Sequence, residues 1–354
     1  MVDDLTKKLE RLGHNYFTAT RGGDYESTDV GILNDFVKYV ADDKDLPKYK
    51  VGIMLIAINS PYWQYMKPVV EGINKFFLPG HDVEVMCWSD VPEAGSDKEK
   101  KLVDSTKPEA ELEALSKSGT QFPPYTVSRE YLQQQLASVR SVTGVTHFEV
   151  DSVGWPYPTL MRYHLMLQQE EYLQKFDYIF FLDLDMRVIN YVGDEILGDG
   201  LTMAQHPMYA LRQEFWPPYE PNPASAAWFK QPGRVLEVNG QKLFQPLYAA
   251  GGFQGGPTPA FIKAMKAMRK GIDDDFAINY IARWNDESHW NRYLLDNTPA
   301  VVLSPSYVYP DSMVKEYYVK LWGRDYPPKI ITVTKPFSVN KEGGDNARKM
   351  IETL

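Results

Sequence analysis

The sequence predicts an α/β fold with a mostly parallel central sheet. Val51 to Ile58 is an apolar run typical of a buried strand, and Asn59-Ser60-Pro61 ends it. Residues from about Trp63 to Leu78 are predicted to form a helix, and His81 to Trp88 is the next predicted strand. Because strand, helix and strand follow one another directly, they predict a βαβ unit, whose two strands are parallel.

A second observation is the short run Tyr178 to Leu182, which is followed by Asp183 and Asp185. Apolar and aromatic residues without interruption fit a central strand that is buried on both faces. In an open α/β sheet, ligands bind at the carboxyl ends of the strands, so both carboxylates are expected at a ligand site. Their oxygens suit Mn²⁺ or Mg²⁺ with a phosphate ligand, although two turn-forming Asp residues that cap a strand explain the same pattern.

The elements between these two regions continue the α/β pattern. Thr146 to Val150 is predicted to return to the sheet, and a helix is predicted to begin at Pro158. The apolar face of that helix is expected at Met161, Leu165, Tyr172 and Phe176. The helix then leads the chain into the strand Tyr178 to Leu182.

The sequence divides into a main domain and two flanking segments. Residues 1–50 are predicted to be an N-terminal extension of helical pieces, and residues 51–310 form the main domain. Within it, residues 92–143 are a polar insertion, expected at the surface and partly helical around Glu109 to Lys117. Residues 311–354 form a C-terminal tail of charges, glycines and short apolar runs.

Charge and cysteine content exclude several classes of protein. The chain carries 38 Lys plus Arg against 47 Asp plus Glu, a formal charge of −9, which argues against nucleic acid or an anionic membrane surface as the main partner. The single cysteine, Cys87, excludes an internal disulfide and a cysteine-built zinc site. No apolar stretch is long enough to cross a bilayer or to act as a signal peptide, so the sequence predicts a soluble, cytoplasmic protein.

Three further segments combine polar and aromatic residues in the way that a binding site does. They are Gln205 to Glu214, which contains His206-Pro207, then Ala249 to Gly256, and Trp284 to Asn291. Each has a simpler explanation: a loop histidine, tight glycine turns, and an acidic start to a helix that runs to about Leu295. Singly, none of the three predicts a site.

Taken together, in this order and spacing, the motifs resemble those of glycosyltransferase family 6, which includes the histo-blood-group A and B transferases and α-1,3-galactosyltransferase. The similarity extends from about Val51 to Pro310. The stretches that carry it are Phe181-Leu-Asp-Leu-Asp-Met186, His206-Pro207, Gly251-Gly-Phe-Gln-Gly-Gly256, Asp286-Glu-Ser-His-Trp-Asn-Arg-Tyr-Leu-Leu295 and Leu303-Ser-Pro-Ser-Tyr307, with weaker matches at Ile56-Ala57-Ile58 and Met161-Arg162. The Asp-Glu-Ser-His segment is the most specific of these.

The resemblance implies the GT-A fold, in which a Rossmann-like nucleotide-binding half joins an acceptor-binding half, and it makes residues 51–310 the catalytic domain. It also implies a retaining hexosyltransferase that moves N-acetylgalactosamine or galactose from a UDP-sugar donor to a galactoside acceptor, with an α-1,3 linkage. Ala250 and Gly252 are both small, which favours UDP-N-acetylgalactosamine over UDP-galactose. In this family, a truncated Golgi lumenal domain is the alternative to a cytoplasmic protein.

By the same resemblance, Asp183 and Asp185 hold Mn²⁺, or alternatively Mg²⁺, on the donor diphosphate. An aromatic residue after the first strand, Tyr62 or Trp63, stacks on uracil. The other residues implied at the nucleotide are Ile56, Ala57, Ile58, Arg162, Lys335 and Lys341, and the two lysines belong to a tail that covers the donor as a lid. The residues implied at the donor sugar are Asp183, Arg162, Ala250, Gly251, Gly252 and Asp286.

His206, Trp284 and Asp286 are implied at the acceptor, and Glu287 is the implied catalytic residue that faces the reacting carbon. The chemistry agrees, because cleavage of a sugar phosphate builds negative charge on the diphosphate and positive charge on the sugar ring. Glu287 then either attacks as a nucleophile or stabilises an oxocarbenium-like state, and both routes stay open. Two other classes also stay open: a metal-dependent nucleotidyltransferase or phosphohydrolase, and an inactive sugar-binding homologue.

Overall fold

The computed structural model of the protein describes residues 48–120, 126–209, 218–229, 235–238, 241–244, 248–311 and 328–333. Nearly all of the predicted N-terminal extension and most of the predicted C-terminal tail lie outside these ranges. In the described part of the chain, no helix is both long and apolar enough to cross a membrane.

Strands and helices alternate along much of the chain, as an α/β fold requires. The strands are β1 Lys50–Ala57, β2 Asp82–Ser89, β3 Val145–Glu149, β4 Tyr178–Leu182, β5 Met186–Val188, β6 Thr202–Gln205, β7 Val235–Val238, β8 Gln241–Phe244, β9 Ala249–Pro257, β10 Val301–Leu303, β11 Tyr309–Pro310 and β12 Ile330–Thr332. The α-helices are α1 Ser60–Trp63, α2 Met66–Phe76, α3 Asp97–Ser105, α4 Glu109–Lys117, α5 Arg129–Arg140, α6 Tyr157–Leu160, α7 Arg162–Leu167, α8 Glu170–Leu173, α9 Thr258–Ala277 and α10 Asn285–Asp296.

A seven-stranded sheet forms the centre of the fold, with the strand order β10-β6-β9-β4-β1-β2-β3. β1 is parallel to β2 and to β4, β2 is parallel to β3, and β6 is parallel to β10. Within this sheet only β9 runs against its neighbours, β4 and β6. The prediction of an α/β fold with a mostly parallel central sheet is confirmed.

Helices cover both faces of this sheet and divide its core into two clusters. α2 and α5 contribute side chains to one cluster, together with Ile53 and Leu55 of β1. α7, α9 and α10 contribute to the other, together with Met54 of the same strand. Because alternate side chains of a strand point to opposite faces, a strand between two such layers must be apolar throughout, which explains the continuous apolar runs in the sequence.

The prediction of one helix between β1 and β2 was wrong in its extent. Instead of one helix from Trp63 to Leu78, the chain forms α1 and α2, with a turn at Gln64 and Tyr65 between them. This turn lets α1 lie over the end of β1 with Trp63 buried, while α2 packs along the sheet.

The single helix predicted from Pro158 was also wrong, because α6, α7 and α8 replace it. Its predicted apolar positions Met161, Leu165 and Tyr172 are only partly buried. The positions that are fully buried include Leu160, Tyr163, Met166 and Leu173. Each break between the short helices interrupts the spacing of 3.6 residues per turn. The positions that face the core after a break therefore differ from those that one continuous helix would bury.

The predicted polar insertion, residues 92–143, is only partly a surface segment. α3 and α4 bury no residue, as expected for polar surface helices. α5, by contrast, places Leu132, Leu136 and Val139 in the core, at the spacing of one helical face. The last helix of the insertion therefore belongs to the layer that covers the sheet.

Candidate active site

Asp183 and Asp185 lie in the turn between β4 and β5. The Asp183 N–H donates to the Gly252 carbonyl oxygen at 2.9 Å, and the Met186 N–H donates to the Asp183 carbonyl oxygen at 3.1 Å. Asp185 is buried, whereas 38% of the Asp183 side chain is exposed. Both residues line one cavity of about 70 Å³, so the two carboxylates meet at the carboxyl end of the central strand.

The same cavity collects most of the residues predicted for the nucleotide. Ile56, Ile58, Tyr62 and Arg162 line it, although they come from three separate parts of the chain. The lining residues that were not predicted as site residues are Asn59, Trp155, Pro158, Thr159, Phe181 and Leu184, of which Phe181 and Leu184 belong to the motif around Asp183. Apolar walls with a few charged groups at one end are typical of a site for a small ligand.

Two predicted nucleotide-binding side chains do not reach this cavity. Ala57 is fully buried in the core, because side chains alternate along β1 and its two neighbours point to the cavity. Trp63 is 1% exposed, and its indole N–H donates to a carboxylate oxygen of Asp90 at 2.9 Å. A buried indole cannot stack on a base, so of the two predicted aromatic residues only Tyr62 lines the cavity.

Arg162 connects the aspartates to the rest of the site. Its buried guanidinium places Nη2 3.2 Å from Asp183 Oδ1 and Nε 3.1 Å from Asp286 Oδ2. Its Nη1 donates to the Gly251 carbonyl oxygen at 3.0 Å, and its guanidinium carbon lies 4.2 Å from the ring centroid of Phe181. The Arg162 guanidinium therefore contacts residues at the end of β4, in β9 and in α10.

The start of α10 brings two acidic residues into the site. Asn285 has a φ of 51°, a left-handed conformation that asparagine tolerates better than most residues, and it turns the chain into the helix. Asp286 is 1% exposed, and burial raises its pKa to about 7 although the Arg162 charge acts in the opposite direction. Trp284, on the loop before the helix, is 47% exposed.

Glu287 faces β9, where its Oε2 accepts the Gly251 N–H at 2.7 Å. Burial raises the pKa of Glu287 to about 7, although this hydrogen bond and the neighbouring Tyr248 hydroxyl favour the ionised form. Asp286 is buried and Glu287 is half-buried, so the charge of each carboxyl group depends on nearby donors.

The glycines of β9 provide the room in which the carboxylates approach the strand. A Cβ atom at Gly251 would lie 3.2 Å from both Cβ and Oε2 of Glu287. A Cβ atom at Gly252 would overlap Cε of Met186 and would lie 3.0 Å from Oδ2 of Asp183. Gly251 thus faces Glu287 and Gly252 faces Asp183, while the small side chain of Ala250 is buried in the core. Of the β9 residues predicted at the donor sugar, Gly251 and Gly252 therefore lie beside the two acidic groups.

His206 follows β6 and lies in an aromatic cluster. Its ring centroid is 4.9 Å from that of Tyr209 and 5.7 Å from that of Tyr248. Burial lowers the pKa of His206 to about 4, so the ring is neutral near pH 7. Burial and the nearby Glu287 charge raise the pKa of both Tyr209 and Tyr248. Tyr209 lies within the predicted segment Gln205 to Glu214 but was not predicted individually, and Tyr248, directly before the segment that begins at Ala249, was not predicted at all.

Lys335 and Lys341, the predicted tail residues at the diphosphate, lie outside the described residues. The last strand before them, β12, pairs antiparallel with β5. Directly after β12, the Val333 N–H donates to the Asp185 carbonyl oxygen at 2.8 Å. The chain therefore passes beside the two aspartates just before the predicted tail lysines.

The fold and the site define the class of protein, an α/β protein with the features of the GT-A glycosyltransferase fold. Comparison with known proteins also identifies a glycosyltransferase, and it assigns the chain to one family. The family model described as glycosyltransferase family 6 matches residues 133–323, which is more than half of the chain. The chain belongs to glycosyltransferase family 6, and the resemblance found in its motifs is confirmed.

Several curated relatives are similar to this chain. A rat protein named histo-blood group ABO system transferase 1 is 28% identical over 286 residues, which cover 80% of this chain and 66% of that protein. A chicken protein named globoside α-1,3-N-acetylgalactosaminyltransferase 1 is 35% identical over 267 residues, which cover 75% of this chain and 63% of that protein. An Escherichia coli protein, O-antigen biosynthesis glycosyltransferase WbnI, is 25% identical over 177 residues, or 50% of this chain and 70% of that protein. The chain spans slightly less than two thirds of the length of the two animal proteins.

Proposed function

We propose that this protein is a retaining glycosyltransferase that moves N-acetylgalactosamine or galactose from a UDP-sugar to a galactoside, with an α-1,3 linkage. The observation that carries the proposal is the arrangement around β9: Gly252 faces Asp183 and Gly251 faces Glu287. Cleavage of a sugar phosphate needs positive charge behind the diphosphate and a carboxylate that faces the sugar. Family membership supports the reaction class, and the name of the chicken relative supports the donor and the linkage.

The donor nucleotide is proposed to bind in the cavity at the end of β1. Tyr62 offers an aromatic ring for uracil, and Ile56 and Ile58 offer apolar contacts beside it. The diphosphate would then extend toward Asp183 and Asp185, in the position where ligands bind in open α/β sheets.

Asp183 and Asp185 are proposed to hold Mn²⁺, or Mg²⁺, on the diphosphate. Among the described residues, no group of three or more His, Cys, Asp or Glu side chains could enclose a metal ion. Two carboxylates that line a cavity fit an ion whose remaining ligands are phosphate oxygens and water, which is how such ions bind nucleotide substrates. When bound, the ion supplies positive charge that stabilises the departing diphosphate.

Glu287 is proposed to act on the sugar by one of two routes. In the first, a Glu287 oxygen bonds to the anomeric carbon as the diphosphate leaves with the bonding electron pair, and the acceptor oxygen then displaces Glu287 and loses its proton. In the second, Glu287 only stabilises the positive sugar ring: the bond to the diphosphate breaks with its electron pair, and the acceptor oxygen bonds to the anomeric carbon on the same face and gives its proton to the departing diphosphate. Both routes retain the anomeric configuration, and both need an ionised Glu287.

The acceptor is proposed to bind between Trp284 and His206. The exposed indole of Trp284 offers an apolar face for a galactose ring, and the neutral His206 can form a hydrogen bond with a sugar hydroxyl. Asp286, which is paired with Arg162, borders both sugars. Neither Ala250 nor Gly252 has a side chain large enough to exclude an acetamide group, so UDP-N-acetylgalactosamine is the proposed donor, preferred over UDP-galactose by about 1–3 kcal/mol.

Release of UDP tests this proposal. Protein that is incubated with Mn²⁺ and either UDP-sugar should release UDP, and a simple galactoside should increase the rate. A phosphohydrolase or nucleotidyltransferase would act on the nucleotide without any response to the galactoside, and a sugar-binding homologue would release nothing. Each of those results would contradict the proposal.

A further inference from the structure

Two neutral polar side chains, Tyr163 and Gln254, are fully buried and hydrogen-bonded to each other next to the glycines of β9. Tyr163 of α7 and Gln254 of β9 are both 0% exposed, and the Tyr163 hydroxyl donates to Gln254 Oε1 at 2.8 Å. Gln254 Nε2 donates in turn to the Gly251 carbonyl oxygen at 3.0 Å. A buried polar pair destabilises a core unless its hydrogen bonds are satisfied, so a pair that is linked to the site calls for an explanation.

The direction of these hydrogen bonds is fixed by the groups themselves. The Gly251 carbonyl oxygen can only accept, so the Gln254 amide must turn its nitrogen toward it, which leaves Oε1 to accept from the Tyr163 hydroxyl. On its other side, Gly251 donates its N–H to Glu287 Oε2 at 2.7 Å. The hydrogen bonds therefore run in one direction from Tyr163, through Gln254 and Gly251, to Glu287.

We propose that Tyr163 and Gln254 are positioning residues that fix Gly251 and, through it, Glu287. This proposal rests on the catalytic role of Glu287 given above. Glycine has no side chain to restrain its backbone, so its orientation depends on the hydrogen bonds at its two ends. A Cβ atom at Gly251 would lie 3.2 Å from Glu287, and at such close approach a small rotation of Gly251 would redirect the N–H that holds the carboxylate.

The pairing of β9 with β6 is irregular at this point, and its regular pairing with β4 ends at Phe253. Met203 of β6 pairs with Gln254, whereas Gln205, only two residues later, pairs with Ala249. Residues 250–253 therefore lie in an irregular part of the pairing with β6, where ladder hydrogen bonds do not fix each residue. Side-chain hydrogen bonds to Gly251 supply the missing restraint.

Arg162 also donates to the Gly251 carbonyl oxygen, at 3.0 Å, but it cannot give a constant restraint. The same guanidinium contacts Asp183 and Asp286, and the charge near Asp183 changes when the diphosphate and its cation bind. Tyr163 and Gln254 are neutral and form their hydrogen bonds with each other and with Gly251. Their restraint should therefore persist from donor binding to product release.

Two substitutions test the proposal. Tyr163→Phe removes only the hydroxyl, and it should lower kcat about 3- to 10-fold with little change in the KM for UDP-sugar, because one buried hydrogen bond is lost. Gln254→Met keeps the length of the side chain but removes both polar atoms, and it should lower kcat further. Because Tyr163 acts through Gln254, the double variant should be no slower than Gln254→Met alone.

Tyr172→Phe is the matched control, since the Tyr172 hydroxyl donates to Glu84 at 2.6 Å on a part of the sheet away from Glu287. Its kcat should be normal. Thermal unfolding and UDP binding, measured for every variant, identify any loss that comes from the fold and not from the site.

A double-mutant cycle with Glu287→Gln decides between positioning and a general structural role. In the Glu287→Gln background, Tyr163→Phe should not lower kcat further, because both changes act at one carboxylate. The proposal would be overturned if the two losses in kcat multiplied as independent effects do. It would also be overturned if Tyr163→Phe and Gln254→Met raised the donor KM without changing kcat, or if both variants had a normal kcat. If Glu287→Gln itself keeps a normal kcat, the role of Glu287 is refuted, and the positioning proposal with it. That result is distinct from a failure of positioning alone.

Discussion

Glu287→Gln separates the chemistry of transfer from donor binding most sharply. The amide keeps the size of the side chain, and its oxygen can still accept the Gly251 N–H that Glu287 Oε2 accepts at 2.7 Å. The nucleotide cavity is lined by other residues, so UDP should bind normally. The substitution removes a negative charge from a place where burial raises its pKa to about 7. At this half-buried position the charge is screened less than in bulk water, so it interacts more strongly with the positive charge that develops on the sugar.

Removal of one group that stabilises developing charge lowers kcat about 100- to 1,000-fold, which corresponds to about 2.7–4 kcal/mol. We expect Glu287→Gln to fall in this range, with little change in the KM for UDP-sugar or in the Kd for UDP. Initial rates at saturating galactoside over a series of donor concentrations give kcat and KM separately. Glu84→Gln is the matched control, because Glu84 accepts hydrogen bonds from Tyr172 and Thr146 away from the site. A nearly normal kcat for Glu287→Gln would refute the reasoning.

Four further predictions concern the metal, pH, the donor and the tail. EDTA should abolish transfer, Mn²⁺ should restore it, and Asp185→Asn should sharply lower kcat; full activity in EDTA would contradict the metal site. Because Glu287 must be ionised and burial raises its pKa to about 7, kcat/KM should fall as pH decreases below that value, and a profile that stays flat through the acidic range would contradict this. Gly252→Ala, whose Cβ would overlap Cε of Met186 and lie 3.0 Å from Asp183 Oδ2, should lower kcat/KM for both donors and shift their ratio toward UDP-galactose; an unchanged ratio would remove Gly252 from donor selection. Deletion of the residues after Thr334 should raise the donor KM with little change in thermal unfolding, whereas normal donor kinetics would show that the tail is not a lid.

Features that depend on neighbouring residues could be predicted from the sequence. The continuous apolar run from Tyr178 to Leu182 predicts a strand buried on both faces, and β4 has these bounds. The acidic start and apolar spacing of the segment that ends near Leu295 predict a helix, and α10 covers it. In both cases the signal lies within one short segment that has a clear start or end, and such local signals are the ones that a single sequence shows most clearly.

Features that depend on packing between distant segments could not be predicted in the same way. Tyr62 and Trp63 are adjacent aromatic residues, and only the contact between the indole and Asp90 shows which of them is buried. Tyr163 and Gln254 are 91 positions apart, so no spacing rule pairs them. The break in the helix at Met161 is marked by neither glycine nor proline at that position, so the helical period extended past it.

The anomeric configuration of the first product tests the proposed transfer most directly. Proton NMR spectra recorded while the protein reacts with UDP-N-acetylgalactosamine, Mn²⁺ and a simple galactoside report the new linkage as it forms. We predict an α-linked N-acetylgalactosamine on the 3-hydroxyl of the galactose, with UDP released in equal amount. A β-linked product, transfer of a nucleotide or phosphate in place of the sugar, or no product at all would contradict the proposed function.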